Sequence, residues 1–127
     1  MKPNIPLPTE EQEQADLFEW AALQLGRYPE LSLLYHIPNG GKRFIGQAVK
    51  FKAQGVKPGV PDLCLPVAKN GFHGLYIELK RQKGGRVSEQ QTQWLQALEA
   101  QGYKALVCNG WEEAANTLKA YLKGGTA

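Results

Sequence analysis

The feature that most constrains this chain is a hairpin signal in its middle. Asp62 to Val67 and Phe72 to Lys80 read as two strands around Lys69-Asn70-Gly71. A strand alternates its side chains, so Glu78 and Lys80 share one face while Ile77 and Leu79 fill the other. Loop length then decides where Asp62 points. A two-residue Asn70-Gly71 loop pairs Lys69 with Phe72 and sets Asp62 opposite Leu79, which puts the carboxylates on different faces. A three-residue loop, with Gly71 left-handed as a G1 bulge, pairs Ala68 with Phe72 and Asp62 with Glu78. The three-residue form is expected. Directly opposed Cβ atoms lie about 4.5–5.5 Å apart, so two ionised carboxylates there repel unless a cation bridges them.

Charge supports that reading. Between Leu31 and Ser88 there are ten basic residues and two acidic ones, Asp62 and Glu78, a net +8, whereas the flanks are net −5. A charge run by itself usually means a solvated face. A basic field nevertheless suits a phosphate backbone, and two carboxylates inside it would repel that backbone without an intervening divalent cation. Hard oxygen ligands without thiolate or imidazole favour Mg²⁺ or Mn²⁺. A cation on Asp62, Glu78 and the Leu79 carbonyl would suit phosphodiester hydrolysis. Lys80 would orient the nucleophile and stabilise developing negative charge. An unperturbed lysine titrates near 10.4, so positioning and electrostatics come before base catalysis.

The rest of the chain sets the frame. At 127 residues and 43% hydrophobic content, one domain spanning 1–127 is expected, with 1–8 as a flexible arm. No segment reads as a signal peptide or membrane span, so a cytoplasmic protein is expected. Cys64 and Cys108 lie in apolar runs and read as buried and unpaired, and no Cys/His cluster suggests zinc.

Thr9 and Gln12 form a capping box opening a helix that Gly26 ends. Leu31 to Ile37 reads as a strand, and Phe44 to Gln54 as a helix with a stripe at Ile45, Ala48 and Val49. After the hairpin come a helix from Ser88 to Gln101, a strand from Tyr103 to Cys108, and a helix from Asn109 to Leu122 capped by Asn109 and Glu112. The order α-β-α-β-β-α-β-α implies an α/β fold, a mixed β-sheet flanked by helices.

Glu-x-Lys alone is a weak signal. With Pro61-Asp62 on the adjacent strand, the sequence resembles the PD-(D/E)xK nuclease superfamily and its restriction-endonuclease-like core. His36-Ile-Pro-Asn-Gly-Gly, Ala48, Gly55, Gly59-Val-Pro-Asp-Leu, Gly74-Leu-Tyr-Ile-Glu-Leu-Lys and Ser88-Glu-Gln-Gln-Thr-Gln-Trp-Leu resemble the VRR-NUC family, in particular its short stand-alone phage and bacterial members. The resemblance covers nearly the whole chain. It implies a divalent-metal endonuclease acting on branched or structured DNA, including four-way (Holliday) junctions, as a homodimer, in repair, recombination or phage replication. A phage-encoded copy would work in the bacterial host cytoplasm. The family's acidic pair and lysine carry over onto Asp62, Glu78 and Lys80.

The family also places a glutamate on the first helix near the metal. Glu10, Glu11, Glu13 and Glu19 compete for it, and Glu13 is favoured because it lies one turn before Leu17 and two before Ala21, on the stripe that should face the sheet. It could serve a second metal or act through water. The family's glutamine corresponds to Gln91, which also reads as the capping-box partner of Ser88. His36 reads as structural, and Asn39 as a turn residue or a DNA contact. Lys42, Arg43, Lys50, Lys52, Arg81, Lys83 and Arg86 are the candidate DNA contacts.

Two other functions are compatible with these residues, a non-catalytic DNA-binding module and a sequence-specific restriction-type endonuclease. Trp20, Trp94, Trp111, Phe44 and Tyr121 are more aromatic surface than a small core must bury, which points to an interface.

Overall fold

The computed structural model describes residues 6–38 and 48–123, without the side chains of 48, 49 and 51. Residues 1–5 of the expected arm and the start of the expected second helix, Phe44 and Ile45 included, lie outside the described residues. The elements are α1 (Glu10–Leu23), β1 (Tyr35–His36), α2 (Ala48–Ala53), β2 (Leu63–Leu65), β3 (Leu75–Lys80), α3 (Glu89–Ala100), β4 (Lys104–Asn109) and α4 (Trp111–Lys123), with a 3-10 turn at Pro29–Leu33. Their order is the expected one, and the sheet is mixed. The strands run β1-β2-β3-β4, antiparallel across the first two pairs and parallel between β3 and β4. A parallel pair needs a crossover, and α3 supplies it.

One sheet face holds the core. Leu63, Leu65, Leu75, Ile77, Leu79 and Cys108 pack with Leu17 and Ala21 of α1 and with Ala114, Ala115, Leu118 and Leu122 of α4. Each fully buried leucine contributes about 1.5–3 kcal/mol. The alternate residues of β3 turn to the other face, where Tyr76 meets Tyr103 edge-on at 5.3 Å and Glu78 meets α3. Tyr121 is buried, and Trp20 and Trp111 pack against the core, so these three do not form aromatic surface. Cys64 and Cys108 are free and buried. No described helix is long and apolar enough to cross a membrane.

Three local expectations are corrected. The hairpin turns on two residues, Asn70 (φ 54°) and Gly71 (φ 82°), with Lys69 and Phe72 exchanging both backbone hydrogen bonds. That is the type I′ turn for which Asn-Gly is suited. The expected cost to the register does not arise, because the strands pair Leu63 with Ile77 and Leu65 with Leu75. Between Leu65–Leu75 and Lys69–Phe72 one arm has a residue more than the other. A bulge takes it up, with the Val67 N–H donating to the Leu65 carbonyl at 2.9 Å. The register continued one step sets Asp62 opposite Glu78.

The segment expected as a strand from Leu31 to Ile37 begins inside the 3-10 turn, which takes Leu31 to Leu33, and is a strand at Tyr35–His36 alone. Pro29 at the start of the turn loses no helical hydrogen bond, and Leu31 and Leu34, three apart, are both buried. The expected Asn109–Glu112 box is absent. Gly110 (φ 90°) precedes α4, and the Asn109 N–H donates to the Glu113 carboxylate. The Thr9–Gln12 and Ser88–Gln91 boxes both form.

Candidate active site

Asp62 lies one residue before β2, past the last pair of the β1–β2 ladder, and is held from both sides. Its carbonyl accepts from the Ile37 N–H at 2.7 Å and from His36 Nδ1 at 2.9 Å. Its carboxylate Oδ2 accepts from the Leu79 N–H of β3 at 2.8 Å. The approach to Asp62 is equally constrained. Gly59 has φ +88°, and a Cβ there would lie 2.9 Å from the backbone carbon of Gln90 in α3. Gly59→Ala is expected to cost roughly 1–3 kcal/mol in urea unfolding. Gly55→Ala has a similar φ of +92° but nothing within 4 Å, so it isolates the backbone strain from the contact. Equal losses in the two variants would show that the approach to α3 is not tight.

Glu78 sits in β3 with 2% exposure. Its Oε2 accepts from Gln91 Nε2 at 3.1 Å and lies 3.6 Å from Lys80 Nζ. Its Oε1 is buried with no hydrogen-bond partner among the described residues. Burial first, then the charge of the neighbouring Asp62, push the Glu78 carboxyl up to about 9, and Lys80 offsets part of this. A buried, orphaned carboxylate oxygen beside a second carboxylate is what a hard divalent cation satisfies. Among the described residues no group of three or more His, Cys, Asp or Glu side chains could hold a metal ion. The remaining ligands would have to be backbone carbonyls and water, which suits Mg²⁺ because it keeps several waters.

Gln91 unites two readings that the sequence set against each other. Its Oε1 accepts from the Ser88 N–H at 2.8 Å while its Nε2 donates to Glu78. The cap at the start of α3 thus orients the amide toward the carboxylate. Lys80 is 6% exposed, and a Cβ on Gly85 would come within 3.0 Å of its Cβ, so the loop after β3 folds back onto the lysine stem. Arg81, Lys83 and Arg86 on that loop are exposed, as are Lys50 and Lys52 of α2. Beside the loop, Thr9, Glu10, Glu11, Arg81, Gly84, Gly85 and Arg86 line a groove of about 670 Å³. Asn39, Lys42 and Arg43 lie outside the described residues.

Glu13 is fully buried, as its place on the stripe implied, whereas Glu10, Glu11 and Glu19 are exposed. Its Oε1 accepts from the Trp111 N–H at 3.0 Å, closing the start of α4, and its Oε2 has no hydrogen-bond partner among the described residues. Gly110 next to it donates to the Lys80 carbonyl at 2.7 Å. Glu13 therefore meets the end of β3 through Gly110 and does not group with Asp62 and Glu78. Sequence reasoning missed the His36 contact with Asp62. No local pattern signals a bond across 26 positions.

Fold and site define a class: an α/β domain with two carboxylates and a lysine drawn together on adjacent strands of a mixed sheet. The sequence matches the VRR-NUC domain over residues 8–112, and the chain belongs to the VRR-NUC family. A solved structure described as a VRR_NUC domain protein is similar with a TM-score of 0.80 at 28% identity, covering 95% of this chain and 93% of that one. No curated protein matches the chain significantly. Family membership makes it a nuclease-type, DNA-processing domain.

Proposed function

We propose that the chain is a divalent-metal-dependent endonuclease that hydrolyses phosphodiester bonds in branched or structured DNA, four-way (Holliday) junctions in particular. It would serve repair, recombination or phage replication in the cytoplasm. The observation that carries the metal-dependent reading is the orphaned Glu78 Oε1 beside Asp62, in a carboxylate whose other oxygen lies 3.6 Å from Lys80 Nζ. Asp62, Glu78 and the Leu79 carbonyl would hold Mg²⁺ or Mn²⁺, with Glu13 acting at most through water or a second ion. When bound, the cation supplies Lewis-acid stabilisation of charge on the phosphate.

The protein's own groups do the rest. The Leu79 N–H and the Asp62 carbonyl contacts fix one carboxylate, and Gln91 fixes the other. Lys80, held under Gly85, directs its amino group at the space beside Glu78, where it orients the nucleophile and stabilises developing negative charge. Exposed Lys50, Lys52, Arg81, Lys83 and Arg86 suit backbone phosphates, with Asn39, Lys42 and Arg43 assigned to the same role from the sequence.

Paired incision of a symmetric junction needs two sites related by a two-fold axis, so a homodimer is part of the proposal. Exposed Leu23, Leu25, Leu33 and Tyr35, close together in the chain, offer apolar area for it. The test is cleavage of four-way and linear DNA with Mg²⁺, with Mn²⁺ and with EDTA, alongside light scattering at micromolar protein. Paired nicks in junctions, abolished by EDTA, at twice the mass of one chain are expected. Shifted bands without cleavage under either metal would leave a DNA-binding module, and fixed-sequence cuts in linear duplex would indicate a restriction-type enzyme.

A further inference from the structure

We propose that His36 is a positioning residue for the carboxylate pair, acting through one ring nitrogen on the backbone of Asp62. The inference rests on the reading of Asp62 as a metal ligand. The carbonyl of Asp62 can only accept, so His36 Nδ1 carries the proton in the 2.9 Å contact. Its Nε2 has no partner among the described residues, and the ring is exposed. The ring therefore contributes to this site through Nδ1–H.

What that bond controls follows from where Asp62 sits. The β1–β2 ladder pairs Tyr35 with Cys64 and His36 with Leu63, and Asp62 lies just beyond it. The peptide between Asp62 and Leu63 is held on its N–H side by the pairing of Leu63 with Ile77, and on its carbonyl side by the Ile37 N–H at the point where the β1–β2 ladder ends. The imidazole supplies a second donor to the same carbonyl, which secures it where the ladder ends and the strand would otherwise open from Ile37. The backbone of Asp62 is thereby fixed at one end of the side chain, and the carboxylate is tied at the other through Oδ2 to the Leu79 N–H. Its other oxygen must face the orphaned Glu78 Oε1 for the two to share a cation. Hydrogen bonds behind metal ligands typically change metal affinity or activity by about 10–100-fold when removed.

Asparagine places an amide N–H near the position of Nδ1, whereas glutamine reaches only the position of Nε2, so the two substitutions separate the ring nitrogens. Mn²⁺ binding to the full chain without DNA is measured by calorimetry for the parent, His36→Ala, His36→Gln, His36→Asn and Asp62→Asn, with melting temperatures in EDTA. Mn²⁺ affinity is expected to fall about tenfold or more in His36→Ala and His36→Gln, and to return close to the parent in His36→Asn. Single-turnover cleavage at saturating DNA should follow the same order at limiting Mn²⁺ and converge at high Mn²⁺. Unchanged Mn²⁺ affinity in His36→Ala, or equal behaviour of the Asn and Gln variants, overturns the inference, even if melting temperatures drop. If Mn²⁺ binds the parent and Asp62→Asn alike, the reading of Asp62 fails and takes this inference with it. Loss in Asp62→Asn with none in His36→Ala removes His36 alone.

Discussion

Asp62→Asn, Glu78→Gln and Lys80→Ala each lower the cleavage rate at saturating Mg²⁺ by on the order of 10²–10³-fold or more, while DNA affinity in EDTA stays close to that of the parent. The first two remove charge from a pair in which the Lys80 amino group lies 3.6 Å from Glu78. The third removes that lysine and leaves Glu78 Oε2 with Gln91 as its one partner among the described residues. Glu78 and Lys80 are buried and Asp62 is half-buried, whereas Lys50, Lys52, Arg81, Lys83 and Arg86, assigned to phosphate contact, are exposed, so chemistry and binding are expected to separate. Single-turnover kinetics with filter binding on the same junction measures both. A variant that cuts within a few-fold of the parent rate would remove its residue from the mechanism. A variant that lost affinity and rate together would mean the residue holds DNA instead.

The stability of the metal-free protein is expected to fall steadily as pH rises from about 5 to about 9. Glu78 has a folded-state pKa of about 9 against an ordinary value of 4.5, through burial and the neighbouring Asp62 charge. Between those values the folded state holds one proton more than the unfolded chain. The stabilisation is therefore complete below the unfolded value and is lost as pH rises through the folded one. Melting temperatures in EDTA across this range, for the parent and for Glu78→Gln, isolate the effect, because glutamine keeps the shape and cannot ionise. The difference between the two should grow with pH in favour of glutamine. Saturating Mn²⁺ should reverse the order at pH 8, since it stabilises only the protein that can bind it. Parallel curves in EDTA would mean that Glu78 ionises in the folded protein as readily as in water.

Much of the site was legible because it is local. Asp62, Glu78 and Lys80 stand in short strings on two strands joined by a tight turn, and alternation alone places Glu78 with Lys80. The capping boxes at Thr9 and Ser88 are spans of four residues whose geometry is independent of the rest of the fold, and both formed. The element order followed from the same kind of short-range signal.

What only the tertiary structure decided concerns groups far apart in the chain. Loop length was inferred from the need to bring two carboxylates together, but a two-residue turn and a bulge achieve the same register, and periodicity cannot tell where in an arm an extra residue is absorbed. Leu31 and Leu34 looked like part of a strand, and their burial against the core favoured a 3-10 turn instead. Glu13 was read correctly as facing inward, yet its partner, the Trp111 N–H, lies 98 positions away. The same holds for His36 on Asp62 and for Gly59 against Gln90. Side-chain alternation, turns and caps are determined by a few neighbouring dihedrals, so the sequence by itself determines them. Which buried carboxylate meets which donor depends on how helices dock on the sheet, and that is settled by packing over the whole domain.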